Sequence, residues 1–426
     1  MRNAVVLGGG GSRGSYQMGV WRALRELGYE YSIVAGTSVG ALNAAMMVQG
    51  EYELGVNLWQ NLSTTDVVDL PELRQREDVT RKDIIHAFLE RIIREGGVDT
   101  LPLEGILREY VSEERIRGSE KEFGLVTVEY PSMKPYVLTK DNIPQGRLVD
   151  YLMASAACYP AMKGKEIDGK KYIDGGYHSN LPIEIALGAG AEHIVAVDLE
   201  CIGRIRPVNL QDSRIKYIRS QWDLGVFLIF DPHQAQRNMT LGYYDCMKAF
   251  GNYDGKVYTF YKAEHLNLAE YVDGCLHIAA AGSEAGYPFL NKLVKTCGAR
   301  LPSMKRVQKR TYGQMMLACA EHGGKLLGVD PEVIYTSQSF CEAFAKVALQ
   351  LPDNPGDVER AIRSIRSVQE AKIVLGSIDV NTVPKVFCNM LRRALYDTQG
   401  RRLLEIIATF LPEEMVAGLA LVALER

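Results

Sequence analysis

The glycine-rich start of this chain limits the folds open to it more than any other feature. An apolar run of strand type, residues 3–7, leads directly into four consecutive glycines, and apolar residues then recur at helical spacing from Tyr16 until Gly28. A second unit follows at once, because residues 31–35 are typical of a strand and residues 39–48 of a buried helix that is apolar nearly all round. Such alternation predicts an α/β fold with a mostly parallel sheet and helices on both faces.

Between the second strand and its helix lies the segment 36–40, Gly-Thr-Ser-Val-Gly, which presents Ser38 at a sharp turn. This turn needs glycine on both sides, because a side chain there would clash with the neighbouring strand or helix. The helix after Ser38 directs the positive end of its dipole towards the hydroxyl. The upstream glycines can aim bare backbone N–H groups at a developing oxyanion. The combination predicts a nucleophilic serine that takes part in acyl transfer.

Two other interpretations of these glycines are weaker. Residues 9–14 also fit the G-x-G-x-x-G loop that binds dinucleotides, which expects an acidic residue at the end of the second strand to bind the ribose. Here the strand ends in Ala35 and continues into the serine motif, and Glu30 lies at its start. The G-x-S-x-G pattern also occurs by chance, but the strand-to-helix setting and the glycine loop favour a functional serine.

A serine of ordinary pKa needs a base within hydrogen-bond reach. The best candidate is Asp174, which follows a predicted hairpin strand and precedes two glycines, so that its carboxylate can project from a tight turn. Both Ser38 and Asp174 would then lie just beyond strand ends, where sites in parallel sheets are built. A triad would also need a histidine. His178 and His193 are available, but a triad histidine normally lies on a later, separate loop, and a catalytic histidine is the less favoured alternative.

The composition is ordinary for a globular protein: of 426 residues, 47% are hydrophobic and 24% are charged, with a formal net charge of −3. No strong field therefore attracts the chain to nucleic acid or to an anionic membrane. Eight cysteines without a C-x-x-C pair predict reduced thiols, and neither a disulfide framework nor a zinc site. Without a signal-peptide pattern or an apolar run of about 18 residues, we expect a cytoplasmic protein that contacts membranes only peripherally, if at all.

Strand and helix patterns alternate as far as about residue 262, after which strand signals nearly vanish. We therefore expect an α/β domain over residues 1–262 and a helical domain of unknown role over residues 263–426. Two amphipathic helices within residues 51–120 would either cover the site as a lid or simply pack on the sheet. The first of these helices carries its apolar residues on one predicted face: Ile84, Ile85, Phe88, Leu89, Ile92 and Ile93.

Together, three motifs resemble those of the patatin-like phospholipase family. They are the glycine-rich loop 9–14, the G-x-S-x-G segment 36–40 and the Asp-Gly-Gly turn 174–176. Each motif is short, but their order and spacing are specific in combination. The resemblance covers roughly residues 1–260 and says nothing about the rest of the chain.

The resemblance implies a three-layer α/β/α sandwich that uses a serine–aspartate dyad, without histidine, metal or cofactor, to cleave fatty acyl esters of phospholipids, lysophospholipids or related lipids. Ser38 would be the nucleophile and Asp174 the general base. Gly10, Gly11 and Arg13 would form the oxyanion hole, with the alternative that Arg13 only makes a nearby salt bridge. The other motif glycines are Gly9, Gly14, Gly36, Gly40, Gly175 and Gly176. A carboxylesterase for small soluble esters and a non-catalytic regulatory module remain open as alternatives, and so does the oligomeric state.

Overall fold

The computed structural model describes residues 2–74, 76, 79–206, 209, 212–304, 307, 309, 311–351 and 383–424. The chain divides into two compact units, Met1–Phe250 and Gly251–Arg426. The boundary expected from the sequence lies later, after residue 262. Of the predicted helical domain, residues 352–382 lie outside the described residues.

The first unit is built around an eight-stranded sheet in the order β5-β6-β3-β2-β1-β7-β8, with β4 also paired to β3. Neighbours among β3, β2, β1, β7 and β8 run parallel, whereas β4, β5 and β6 pair antiparallel. The predicted α/β fold with a mostly parallel sheet is therefore confirmed. The strands are β1 (Asn3–Leu7), β2 (Ile33–Thr37), β3 (Glu122–Tyr130), β4 (Lys134–Thr139), β5 (Lys165–Ile167), β6 (Lys170–Asp174), β7 (His193–Asp198) and β8 (Ile215–Arg219).

Helices cover both faces of this sheet. Alternate residues of β1 face opposite sides, and Ala4 and Val6 share a buried cluster with residues of α10. Val5 and Leu7 face the other side, where α2 packs against β1, β2 and β3. The helices are α1 (Ser15–Glu26), α2 (Val39–Gln49), α3 (Tyr52–Asn61), α4 (Thr64–Val67), α5 (Pro71–Arg74), α6 (Arg81–Glu95), α7 (Leu101–Tyr110), α8 (Glu113–Gly118), α9 (Leu148–Ser155), α10 (Ile183–Gly188) and α11 (Pro232–Ala249), with 3₁₀ turns at Gly11–Gly14 and Gly175–Tyr177.

Strand β3 brings the ends of two other strands together. The last residue of β2, Thr37, pairs with Val126, and the last residue of β6, Asp174, pairs with Thr127, the next residue along β3. Because β4 occupies the opposite edge of β3, β2 and β6 share one edge and meet end to end. The residue after Thr37 and the carboxyl end of β6 therefore lie side by side.

Helix α6 forms where the sequence predicts it, but it buries only part of its apolar face. Thr80 caps it with a capping box, in which the Asp83 carboxylate accepts the Thr80 N–H at 2.9 Å. Ile84 and Phe88 pack into a cluster with α4, α5 and neighbouring loops. The adjacent ridge of the same predicted apolar face stays exposed in the described structure. That ridge consists of Ile85, Leu89 and Ile93, which are 46%, 54% and 83% exposed.

The second unit is mainly helical. Its helix α18 is buried along Met415–Leu424 and packs against α12, α13, α14 and α16. A two-stranded parallel ribbon, β9 with β10, completes the described part. The elements are β9 (Thr259–Phe260), α12 (Glu264–Ala279), α13 (Gly286–Gly298), α14 (Tyr312–Leu327), β10 (Ile334–Tyr335), α15 (Ser337–Ala348), α16 (Val383–Ala394), α17 (Thr398–Phe410) and α18 (Pro412–Leu424).

Membrane-spanning helices and disulfide bonds can both be looked for among the described residues. None of the helices they form has both the length and the apolar character that crossing a bilayer requires. All eight cysteines lie in the described part, and no disulfide joins any two of them.

Candidate active site

Ser38 occupies a strained turn between β2 and α2. Its backbone angles are φ 56° and ψ −132°, in a region that a residue with a Cβ atom enters only at a cost of about 1–3 kcal/mol. The Ser38 N–H donates to Ser155 Oγ at 3.0 Å, and Ser155 Oγ donates to the Val126 carbonyl at 2.7 Å. These bonds tie the turn to β3. Ser38 is buried, with 8% of its surface exposed.

The glycines beside Ser38 are required by close backbone contacts. A Cβ atom added to Gly36 would overlap the Gly40 carbonyl, and one added to Gly40 would overlap the Leu7 carbonyl. Strands β1 and β2 therefore approach the start of α2 more closely than any side chain would allow. This is the steric reason for glycine that the sequence pattern predicts.

Two loop glycines allow the serine turn and the first loop to pack together. A Cβ atom on Gly9 would lie 2.9 Å from the Cβ of Ser38, and one on Gly14 would lie 2.6 Å from a methyl group of Val39. Real Cβ atoms do not approach their neighbours so closely. The loop after β1 is thus held directly against the serine.

Asp174 lies at the end of β6 and is buried, with 7% of its surface exposed. Its Oδ1 accepts the Gly176 N–H at 2.7 Å, while a Cβ on Gly175 would overlap the Val126 carbonyl. Burial raises the pKa of Asp174 to about 6, although hydrogen bonds from the Ser38 hydroxyl and the Gly176 N–H favour the charged form. The carboxylate and the serine hydroxyl therefore lie side by side and line the same cavity.

The loop after β1 presents two unused backbone donors. Gly9 N–H and Ser12 N–H, on either side, donate to backbone carbonyl oxygens at 3.0 and 2.8 Å. In the part of the chain that the structure describes, the N–H groups of Gly10 and Gly11 have no hydrogen-bond partner. Both residues line the same cavity as Ser38. Their donors are available to a negatively charged oxygen beside the serine.

Arg13 lies outside this cavity. Its Nε donates to the Gly225 carbonyl at 2.9 Å, and its Nη1 donates to the carbonyls of Leu199 at 3.2 Å and Glu200 at 2.8 Å. Among the described residues no carboxylate pairs with it. The structure thus differs from both alternatives for Arg13, a place beside the oxyanion and a salt bridge. Its guanidinium instead ties the glycine loop to two neighbouring segments.

No histidine among the described residues lines the cavity. His178 Nε2 lies 3.5 Å from Arg206 Nη1, and His193 is exposed at the start of β7. Burial and the charge of Arg206 lower the pKa of His178. The structure therefore brings Ser38 together with a carboxylate and places no imidazole beside them. The described residues also contain no group of His, Cys, Asp and Glu arranged to hold a metal ion.

A cavity of about 670 Å³ extends from Ser38 and Asp174 and is lined mainly by apolar side chains. Helix α7, one of the two helices proposed as a lid, forms part of its wall, whereas α6 does not. The aromatic part of the wall, which includes Trp59 and Phe227, was not identified from the sequence because no short motif marks it. The apolar lining includes Val39, Leu42 and Met46 of α2, Leu58 and Trp59 of α3, Leu103, Ile106 and Leu107 of α7, and Phe227, Leu228 and Phe230.

The first unit is thus an α/β sandwich with a serine and a carboxylate side by side at the ends of two strands. Comparison with known proteins agrees with this class, because residues 5–187 match the patatin-like phospholipase family. The matched segment contains both Ser38 and Asp174.

Several proteins resemble this domain. Patatin-like phospholipase domain-containing protein 7 of Rattus norvegicus is 26% identical over 203 residues, which cover 46% of this chain and 13% of the relative. Lysophospholipase NTE1 of Meyerozyma guilliermondii is 28% identical over 217 residues, covering 49% and 13%. The chain thus spans about an eighth of the length of these relatives. The solved structure of VipD from Legionella pneumophila aligns with 99% of this chain and 90% of its own at 14% identity, with a TM-score of only 0.39.

Proposed function

We propose that the first unit is a serine acyl hydrolase that cleaves fatty acyl esters of phospholipids, lysophospholipids or related lipids. One observation carries the proposal: Ser38 and the buried Asp174 line one cavity together with the unused amides of Gly10 and Gly11. A hydroxyl, a buried carboxylate and two unused N–H donors thus share one crevice, which is the arrangement that a nucleophile, a base and an oxyanion hole require. The family name and the lysophospholipase among the relatives support the same class of substrate.

The first half of the reaction would acylate Ser38. Asp174 accepts the hydroxyl proton as Oγ attacks the ester carbonyl carbon, and the carbonyl oxygen becomes an oxyanion that accepts hydrogen bonds from Gly10 and Gly11. The intermediate then collapses. The bond to the alcohol oxygen breaks, and the departing alcohol takes the proton from Asp174.

The second half would release the fatty acid. Water enters the place of the alcohol and gives a proton to Asp174 as its oxygen attacks the acyl carbon. The same amides stabilise the second oxyanion. When that intermediate collapses, Ser38 Oγ leaves, takes the proton back from Asp174, and the free acid departs.

The cavity supports a lipid acyl chain over a small soluble ester. Its volume of about 670 Å³ lies in the range of sites that enclose small molecules, and its walls are largely hydrocarbon and aromatic. At its edge Ile202 is 88% exposed and Tyr177 is 45% exposed. We therefore also propose a peripheral contact with lipid at this edge, where the exposed apolar side chains would leave water.

A fluorophosphonate probe tests the assignment of the nucleophile. We expect one labelled peptide, which contains Ser38, and we expect Ser38→Ala to abolish both labelling and hydrolysis of a long-chain ester. Ser132→Ala, in an exposed turn, is the matched control and should behave as the wild type. Labelling at another residue, or hydrolysis that survives Ser38→Ala, would rule out this site as the active site.

Substrate length separates a lipid hydrolase from a general carboxylesterase. Each methylene group that the cavity buries should contribute about 0.8 kcal/mol, so kcat/KM should rise up to about fourfold per added methylene until the cavity is filled. A series of monomeric esters that differ only in acyl length gives the measurement. A maximum at acetyl or butyryl would instead favour the carboxylesterase.

A further inference from the structure

The segment 201–204 borders the cavity next to the turn that carries Asp174. The Arg204 N–H donates to the Gly176 carbonyl at 2.8 Å, and the Arg204 carbonyl accepts the Asn180 N–H at 2.8 Å. A Cβ on the preceding residue, Gly203, would lie 2.7 Å from Asn180 Cβ, so the segment packs closely. The backbone of Arg204 is therefore fixed beside the reacting groups, although its side chain is exposed.

Arg204 is the one basic residue in the described lining of the cavity, and Asp174 is the one acidic residue. Within the described structure the Arg204 guanidinium has no carboxylate and no hydrogen-bond partner. Its neighbour Arg206 differs, since it approaches Glu184 at 3.8 Å and His178 at 3.5 Å. The charge of Arg206 is thus partly balanced by protein groups, whereas that of Arg204 is available to a ligand.

An arginine without a carboxylate partner in the lining of an apolar cavity suits one kind of ester. The guanidinium fork forms paired hydrogen bonds with phosphate oxygens, and charge-assisted bonds of this type are about twice as strong as neutral ones. A neutral acylglycerol offers no such partner. A phospholipid would place its acyl chain among the apolar residues and its phosphodiester beside Arg204.

We propose that Arg204 binds the phosphodiester of the substrate and so makes phosphate-bearing acyl esters the preferred substrates of this site. This inference rests on the proposed function, because it concerns the same cavity and the same reaction. Arg204 would be a specificity residue and would take no part in the proton transfers between Ser38 and Asp174.

Two substrates that share their acyl chains test the inference. Dihexanoylphosphatidylcholine carries the phosphodiester and dihexanoylglycerol lacks it, and both are used below the concentration at which they aggregate, so that no lipid surface contributes. We expect Arg204→Gln to lower kcat/KM about 10- to 100-fold on the phospholipid and less than about twofold on the diacylglycerol. Arg206→Gln is the matched control, and it should change both values less than about threefold.

The outcomes separate the two proposals. An equal loss on both substrates, or no loss on either, would overturn the role of Arg204 while leaving the hydrolase intact. A wild-type protein that hydrolyses dihexanoylglycerol as well as or better than the phospholipid would also overturn it. If the wild type hydrolyses neither substrate and does not react with the fluorophosphonate, the hydrolase proposal itself fails.

Discussion

The turns that carry Ser38 and Asp174 meet at adjacent residues of β3, yet they hold unfavourable free energy in different ways. At Ser38 the cost is conformational, because its φ of 56° is unusual for a residue with a side chain. At Asp174 the backbone is ordinary, with φ −48° and ψ 136°. There the cost is electrostatic, since burial disfavours the charged carboxylate and raises its pKa to about 6.

The two costs can therefore be separated by experiment. A backbone strain does not depend on pH, whereas the cost of a buried carboxylate appears only when the group is ionised. Substitutions at the two positions should therefore differ in their pH dependence even where both abolish activity.

Activity should respond most strongly to Asp174→Asn. Asparagine accepts no proton, so kcat/KM should fall about 10⁴-fold, as for other enzymes whose positioned carboxylate is replaced. For the wild type, kcat/KM should fall about tenfold for each pH unit below about 6, where Asp174 is protonated. The residual activity of the variant should lack this inflection, and a retained inflection would show that another group is the base.

The second prediction concerns stability: Asp174→Asn should raise the stability of the folded protein, although it lowers activity. Asp174 has a pKa near 3.8 when solvated and about 6 in the folded protein, so the folded state binds its proton more tightly. Stability is therefore lost as pH rises from about 4 to 6, and above pH 6 the ionised carboxylate costs up to about 3 kcal/mol. We expect Asp174→Asn to unfold at higher urea than the wild type at pH 8, but at nearly the same urea at pH 4.

Tryptophan fluorescence is a suitable measurement, because the three tryptophans, Trp21, Trp59 and Trp222, all lie in the first unit. The two-unit chain need not unfold in one step, and this signal follows the unit that holds the site. An equal advantage of Asp174→Asn at both pH values would contradict the electrostatic origin of the cost.

The smallest effect isolates the strain at Ser38. Ser38→Ala and Ser38→Gly both remove the hydroxyl, but only glycine adopts φ 56° without strain. Because glycine also loses more conformational entropy on folding, we expect Ser38→Gly to exceed Ser38→Ala in stability by only about 1 kcal/mol. This difference should be the same at pH 5 and pH 8, and a pH-dependent difference would contradict the comparison.

Much of this site could be predicted from the sequence because its causes are local. Glycine at 36 and 40 indicates that two backbone segments approach closely, and the apolar residues after Val39 indicate a buried helix. The serine turn can therefore be predicted from a few neighbouring residues. The proximity of Asp174 was predictable from strand ends alone. Its assigned role stays a prediction until the substitutions above are measured.

Other features depend on residues that are distant in the sequence, and they could not be predicted from it. Arg13 has no local signal for its three carbonyl partners, which lie near residues 199, 200 and 225. The periodicity of α6 shows that its apolar residues share one face. It does not show how much of that face a neighbouring element covers, so the exposed ridge was not predicted. Arg204 lies in a loop whose composition does not reveal that its backbone is bonded to the turn after Asp174.

The pairing of β6 with β3 has a consequence for how this protein can change by mutation. Side chains alternate sides along a strand, so a slip of one residue in that pairing would turn the Asp174 carboxylate to the opposite face of the sheet and away from the hydroxyl. The hairpin that delivers β6 turns through Asp168 and Gly169, both with positive φ, which fixes its length at two residues. Any insertion or deletion that shifts the register of β6 on β3 by one residue would thus separate the pair without altering either member.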